Sequence, residues 1–187
     1  MLLLLAIVLL LVMIELRVLA YAYRKIGVRP RYMVAVLLLS LLGSHVNIPL
    51  FTVQPHGTVV AVNLGGAVLP VLLSLYLFLR LGLYMRMVLG TILVALVVHG
   101  LAQVVPGVGI RVPMLFPPLV AAGVGLLLSF RRAPPVAYVA GSMGTLIGAD
   151  LLNLPRVAEL GAPIVVIGGA GTFDSVFLTG IIAGLIA

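Results

Sequence analysis

The chain contains no cysteine, which excludes disulfides, thiol nucleophiles and zinc–thiolate centres. Charge is scarce: 8% of its 187 residues are Asp, Glu, Lys or Arg, and only four are acidic. The glycine-rich runs are not followed by the Lys-Ser or Lys-Thr of a phosphate-cradling loop. The histidines are not at ligand spacing, so no metal site and no cofactor is expected. What is abundant is apolar. The chain is 64% hydrophobic with a mean hydropathy of +1.38, which excludes an ordinary soluble domain and points to a polytopic membrane protein. At about 20 residues per span, roughly six to eight spans would use the whole length. Residues 1–187 therefore read as a single integral membrane domain with the lipid bilayer as its first partner. The net charge is +7. No basic face or aromatic interleaving accompanies it, so nucleic acid is not an expected partner.

Seven apolar runs can be marked, at 1–22, 33–52, 58–79, 87–105, 114–130, 136–154 and 162–187. The first lacks a basic n-region, and Glu15 and Arg17 interrupt it, so it reads as a retained helix rather than a signal peptide. The expected fold is all-α, a polytopic bundle of about seven transmembrane helices. The seventh is expected to break at Gly168-Gly169-Ala170-Gly171, where the backbone is a poor helix former. A faint repeat runs through the chain. Asn47-Ile48-Pro49 ends the second run and Gly65-Gly66 interrupts the third; Asn153-Leu154-Pro155 ends the sixth and Gly168-Gly169 interrupts the seventh. This suggests a parallel 3+1+3 arrangement, and paired Gly/Pro-interrupted segments mark transporter-type sites.

With seven spans, Arg24, Lys25, Arg29, Arg31, Arg80, Arg86, Arg131 and Arg132 fall on one side, and Arg111 and Arg156 on the other. The positive-inside rule then predicts a cell (inner) membrane protein with its N-terminus outside and its C-terminus in the cytoplasm. Tyr21, Tyr23, Tyr32, Tyr76, Tyr84 and Tyr138 fall near the same cytoplasmic ends, where interfacial rings keep their hydroxyls wet.

The polar residues inside the runs collect toward the other side. Ionisable groups in lipid are costly, so Asp150 and Asp174 are the leading candidates for a site. Asp150 and Asn153 share a helical face opposite a glycine stripe of Gly141, Gly144 and Gly148. Thr172 could cap a half-helix with Asp174 in its first turn, and the exposed backbone groups near Gly169 and Gly171 could bind a ligand. Asn47, Asn63, His45 and His99 complete the set. The asparagines suit hydrogen bonds between helices, and the histidines could move protons. The structural alternative is that Asp150 pairs with His45, His99 or a backbone N–H, and that Asp174 merely complements a helix N-terminus.

Ile167-Gly168-Gly169-Ala170-Gly171-Thr172-Phe173-Asp174, followed by Phe177-Leu178-Thr179-Gly180-Ile181, resembles the C-terminal signature of a prokaryotic membrane-protein family, domain of unknown function 1614. Gly148-Ala149-Asp150-Leu151-Leu152-Asn153-Leu154 and Asn47-Ile48-Pro49 fit it too. The resemblance implies a small multi-pass protein and supplies no activity. The layout is also similar to small sugar transporters of the SWEET type. Two aspartates on neighbouring helices resemble presenilin-type proteases, although Ile147-Gly148-Ala149-Asp150 departs from that family's Gly-x-Gly-Asp and no Pro-Ala-Leu element is present. The expected function is to bind or transport a small solute, ion or proton through an outward-opening polar pocket around Asp150 and Asp174, as a monomer or homo-oligomer. The alternative is a membrane-embedded aspartyl hydrolase using the same pair; a third reading is a structural partner of another membrane protein.

Overall fold

The apolar runs of the sequence become helices whose starts are set mainly by proline. The computed structural model describes residues 2–54, 57–106, 109–169 and 174–187, with side chains described from residue 10 onward. Among the described residues the helices are α1 (Leu2–Lys25), α2 (Pro30–Gly43), α3 (Leu69–Leu81), α4 (Tyr84–Leu101), α5 (Phe116–Leu128), α6 (Ala133–Thr145) and α7 (Ser175–Ile186). Proline occupies the first or second position of α2, α3, α5 and α6, where its fixed φ is pre-set and its missing N–H costs nothing. A π-turn, Leu64–Val68, leads into α3. Another, Leu146–Asp150, prolongs α6 and passes into a 3-10 helix, Leu151–Leu160. Gly82 ends α3 in the left-handed region at φ 67°, a conformation that favours glycine.

Among the described residues, three helical segments are long and apolar enough to cross a membrane: Leu64–Leu81, Tyr84–Leu101 and Phe130–Leu160. The last is the hub. It packs against α4, α5 and α7, and Pro135 to Ser142 are buried without a break. Small residues allow that. A Cβ on Gly144 would come within 2.6 Å of Val94 Cβ, so α4 and α6 touch almost backbone to backbone. The outer faces are the reverse of a soluble protein's: Leu10, Ile14, Leu38, Leu42, Leu89, Leu93 and Leu96 are all exposed. Continuous apolar flanks of this kind, with the three long helices, point to a membrane protein.

The helices run alternately between two ends of different chemistry. At one end Lys25 Nζ donates to Leu185 O at 2.6 Å, Arg80 donates to Gly27 O, and Arg86 Nη1 donates to Ser129 Oγ at 2.9 Å. The largest apolar core lies toward this end, around Ile26, Leu77, Met87 and Phe177. Tyr23 and Tyr138 belong to it and are fully buried. Here the expectation of wet interfacial tyrosines fails, because these two rings fill the junction of α1, α6 and α7.

At the other end the all-α expectation is corrected. The distal parts of four predicted spans are strands: β1 (Asn47–Val53), β2 (Thr58–Asn63), β3 (Gln103–Val105), β4 (Gly109–Arg111) and β5 (Ile164–Ile167), of which β4 lies between the fourth and fifth predicted spans. β1 pairs antiparallel with β2, and β2 pairs parallel with β5, while β3 and β4 form a separate hairpin. The local sequences explain this. Val59, Val60 and Val62, and Ile164 through Ile167, are β-branched runs that favour extended backbone. Pro49 and Pro163 oppose helix continuation. The seventh apolar run is interrupted at its glycines, as expected. What precedes them is a strand rather than a half-helix.

Candidate functional site

Those polar residues singled out in the sequence that are among the described residues belong to the strand-rich end, and the structure sorts them into three groups. The first is a closed network. Asn63 is fully buried at the end of β2. Its Nδ2 donates to Ser44 O and to Asn47 Oδ1, each at 2.8 Å, and its Oδ1 accepts from Gly66 N at 2.8 Å. Asn63 thus caps the π-turn before α3 while holding the end of α2 and the start of β1. Every polar atom of its side chain is engaged, which gives Asn47 and Asn63 an architectural role. His45 stands beside this group, exposed.

The second group joins α4 to the end of α6. Asn153 is buried, and its Nδ2 donates to Ala149 O at 2.9 Å and to Gly148 O at 3.1 Å. His99 Nδ1 lies 3.3 Å from Gly148 O and 3.4 Å from Asn153 Nδ2. The π-turn frees carbonyls that an α-helix would use internally, and these two side chains occupy them. Asn153 is therefore turned toward its own backbone and His99.

The third group is the acid pair. Asp150 ends the π-turn of the α6 segment. Its Oδ2 is buried and has no hydrogen-bond partner among the described residues. Among the described residues neither His45 nor His99 bonds that oxygen. Asp174 is itself the N-cap of α7, with Oδ1 accepting from Val176 N at 2.9 Å. The expected capping residue was Thr172, with Asp174 inside the first turn; the cap falls two residues later. Thr172 and Gly171 lie outside the described residues. Asp150 and Asp174 are within electrostatic reach of one another. Directly after Asp174, residues Ser175 and Thr179 line a cavity of about 140 Å³ whose other wall is Val112, Pro113 and Pro117.

The glycine breaks also meet. β2 and β5 run side by side, with Val62 opposite Ile167. Gly168, at φ +70°, then packs so closely on Gly66 and Ala67 that a Cβ would lie 2.6 Å from Ala67 N. Only glycine satisfies both the dihedral and the space. Gly169 is exposed in the same turn, with its N–H bonded to Val166 O. Sequence spacing could not reveal this contact, because it joins segments about a hundred residues apart.

Residues 9–186 match the model of a family described as protein of unknown function (DUF1614). The chain belongs to this family. No curated protein matches it, and no solved structure does. The family match covers all three polar groups, including both acids and the glycine turn between β5 and α7.

Proposed function

We propose that this protein crosses the cell membrane seven times, with its basic end in the cytoplasm, and binds a proton or a small cationic solute at the Asp150–Asp174 pair. The observation that carries the reading is a buried carboxyl oxygen without a hydrogen-bond partner among the described residues, within electrostatic reach of a second carboxyl. A carboxylate in an apolar bundle is expensive unless neutralised. A bound proton or cation supplies that neutralisation, and its release toward the outer side is the elementary step of transport.

Helix lengths support a site near the outer interface. Helices of 12–14 residues, as α2, α5 and α7 are, reach only about 20 Å at 1.5 Å per residue, against roughly 30 Å of hydrocarbon. Strands and turns complete these crossings. Non-helical backbone is tolerated at such depth only where protein covers it or water reaches it, and β2 is largely buried. The parallel β2–β5 pairing and the meeting of the two glycine turns also support the 3+1+3 repeat, whose halves join there, while both acids belong to its second half.

The test is flux in proteoliposomes carrying a pH-sensitive dye. Wild-type protein is expected to dissipate an imposed proton gradient, alone or with an added organic cation, and Asp150→Asn to abolish this. Unchanged flux in Asp150→Asn sinks the proposal. A second reading follows from where the acids stand: Asp150 ends the π-turn that prolongs α6, Asp174 caps the start of α7, and α6 packs against α7. Two carboxyls that share a proton can activate water for amide hydrolysis. Cleavage of a reconstituted single-span peptide, lost in both Asp→Asn variants and without proton flux in the wild type, would select that reading.

A further inference from the structure

The basic end holds a groove that the acid pair does not use. Between the start of α4 and the α5–α6 turn, a cavity of about 390 Å³ is lined by Arg86, Arg131 and Arg132 together with Ser129, Leu83 and Phe130. Arg86 is fixed there by its bond to Ser129 Oγ at 2.9 Å. Ser129 is buried, so this guanidinium is held in place by the fold rather than by solvent.

The other basic residues of this end are largely occupied. Lys25 caps the last turn of α7, and Arg80 bonds Gly27 O and Tyr76 Oη. Arg24 and Arg31 lie over tyrosine rings. The side chains of Arg131 and Arg132 differ. They make no hydrogen bond, ion pair or ring contact among the described residues, and the chain's acids, Glu15, Asp150, Glu159 and Asp174, all lie on other elements. The backbone offers little help, because Pro134 and Pro135 remove two N–H groups from the start of α6. Recognition of an anion therefore falls to three guanidinium groups and one hydroxyl. Guanidinium forks match phosphate oxygens in geometry and charge.

The rim is apolar. Phe130 is 82% exposed, and Leu83 and Leu128 line the groove beside it. A small inorganic anion would leave them unused. An amphiphile would not, since its phosphate could sit among the arginines and its chains could run along Leu128, Phe130 and Leu83. We propose that this groove binds the phosphate of an anionic phospholipid at the membrane surface, a chemistry that basic pockets between membrane helices commonly serve. The proposal rests on the membrane reading above but not on the acid-pair function.

The test uses the full chain, purified in mild detergent and offered equal phosphatidylglycerol and phosphatidylcholine, with bound lipid read by native mass spectrometry. Wild-type protein is expected to retain phosphatidylglycerol selectively. Arg131→Gln/Arg132→Gln, which removes two unpaired exposed side chains and leaves the Arg86–Ser129 bond intact, is expected to weaken retention by roughly fivefold per arginine. Arg24→Gln should leave it unchanged. Equal retention of both lipids, or wild-type retention by the double variant, overturns the proposal. Displacement of the lipid by millimolar inorganic phosphate would make this a soluble-anion site and overturn it as well. Carbonate extraction of cell membranes tests the membrane reading separately: protein that washes off contradicts that reading whatever the lipid result.

Discussion

The two ends of this molecule are built on different principles. The basic end is helical and close-packed, with an apolar core that takes in even the rings of Tyr23 and Tyr138. Its polar contacts are peripheral: Lys25, Arg80 and Arg86 reach carbonyl or hydroxyl oxygens at helix termini. At the opposite end the helices give way to short strands and π-turns, which leave backbone groups to be satisfied individually. Asn63 and Asn153 do that work, each inserted among carbonyls or N–H groups that regular helix would have paired internally. A bundle in lipid can be held by packing where it is helical. Where it is not helical, it needs side-chain hydrogen bonds for every exposed backbone group. The pairing is not complete: among the described residues the buried Ser40 Oγ, Thr145 Oγ1 and Asp150 Oδ2 have no hydrogen-bond partner, and of these only Asp150 Oδ2 belongs to a group that can carry charge, which makes it the most costly to leave so.

This contrast can be broken most severely at Asn63. Asn63→Ala removes three hydrogen bonds and orphans the buried Gly66 N–H. The expected loss is about 3 kcal/mol, read as a fall in the melting temperature of the detergent-solubilised protein. Asn63→Leu sharpens the point, since it keeps the volume. It should be as damaging as Ala, whereas tolerance of Leu would mean that packing holds this end too. In the helical region the converse applies. Gly144→Ala forces a methyl against Val94 and should cost about 2 kcal/mol by overpacking, and Gly144→Ser should cost about the same, because polarity is irrelevant there. A smaller effect is expected at the join between the two regimes. Asp174→Ala removes the α7 N-cap and should lower stability by about 1 kcal/mol, while Asp174→Asn, which can still cap, should lose far less. The same melting assay checks all of these variants.

The sequence made the helical regime legible because long leucine-rich runs, flanking prolines and clustered arginines each carry a local signal. The seven runs, the separation of the basic residues into two ends, and the prominence of Asp150 and Asp174 could be read directly, and so could the family. The strand-rich end could not. Short apolar runs such as Val59 to Val62 or Ile164 to Ile167 fit a strand or a buried helix equally well. What decides between them is the β2–β5 pairing, which links segments about a hundred residues apart. The same non-local contact explains why Gly168 and Gly66 looked like two independent helix breaks rather than one packed junction. Asn47 and Asn63 were legible as hydrogen-bonding groups, but their closed network depends on Ser44 and Gly66 being brought alongside. Tyr23 and Tyr138 misled for a related reason, whereas Tyr21, Tyr32 and Tyr84 are exposed: residue type and position near a helix end do not reveal whether a neighbouring helix covers the ring.

The central claim is that Asp150 and Asp174 form one site. A double-mutant cycle tests it most directly, with Asp150→Asn, Asp174→Asn and the double variant compared by thermal stability in detergent at alkaline pH, where the proton proposed to neutralise the pair has been given up. Asparagine preserves the shape of aspartate, and at the α7 N-cap it still accepts the backbone hydrogen bond, so charge is the main quantity changed. The account predicts non-additivity of more than about 0.5 kcal/mol, with neutralisation of one acid changing the effect of neutralising the other. Additive effects would mean that each carboxyl answers only to its own surroundings, and the shared site would have to be abandoned.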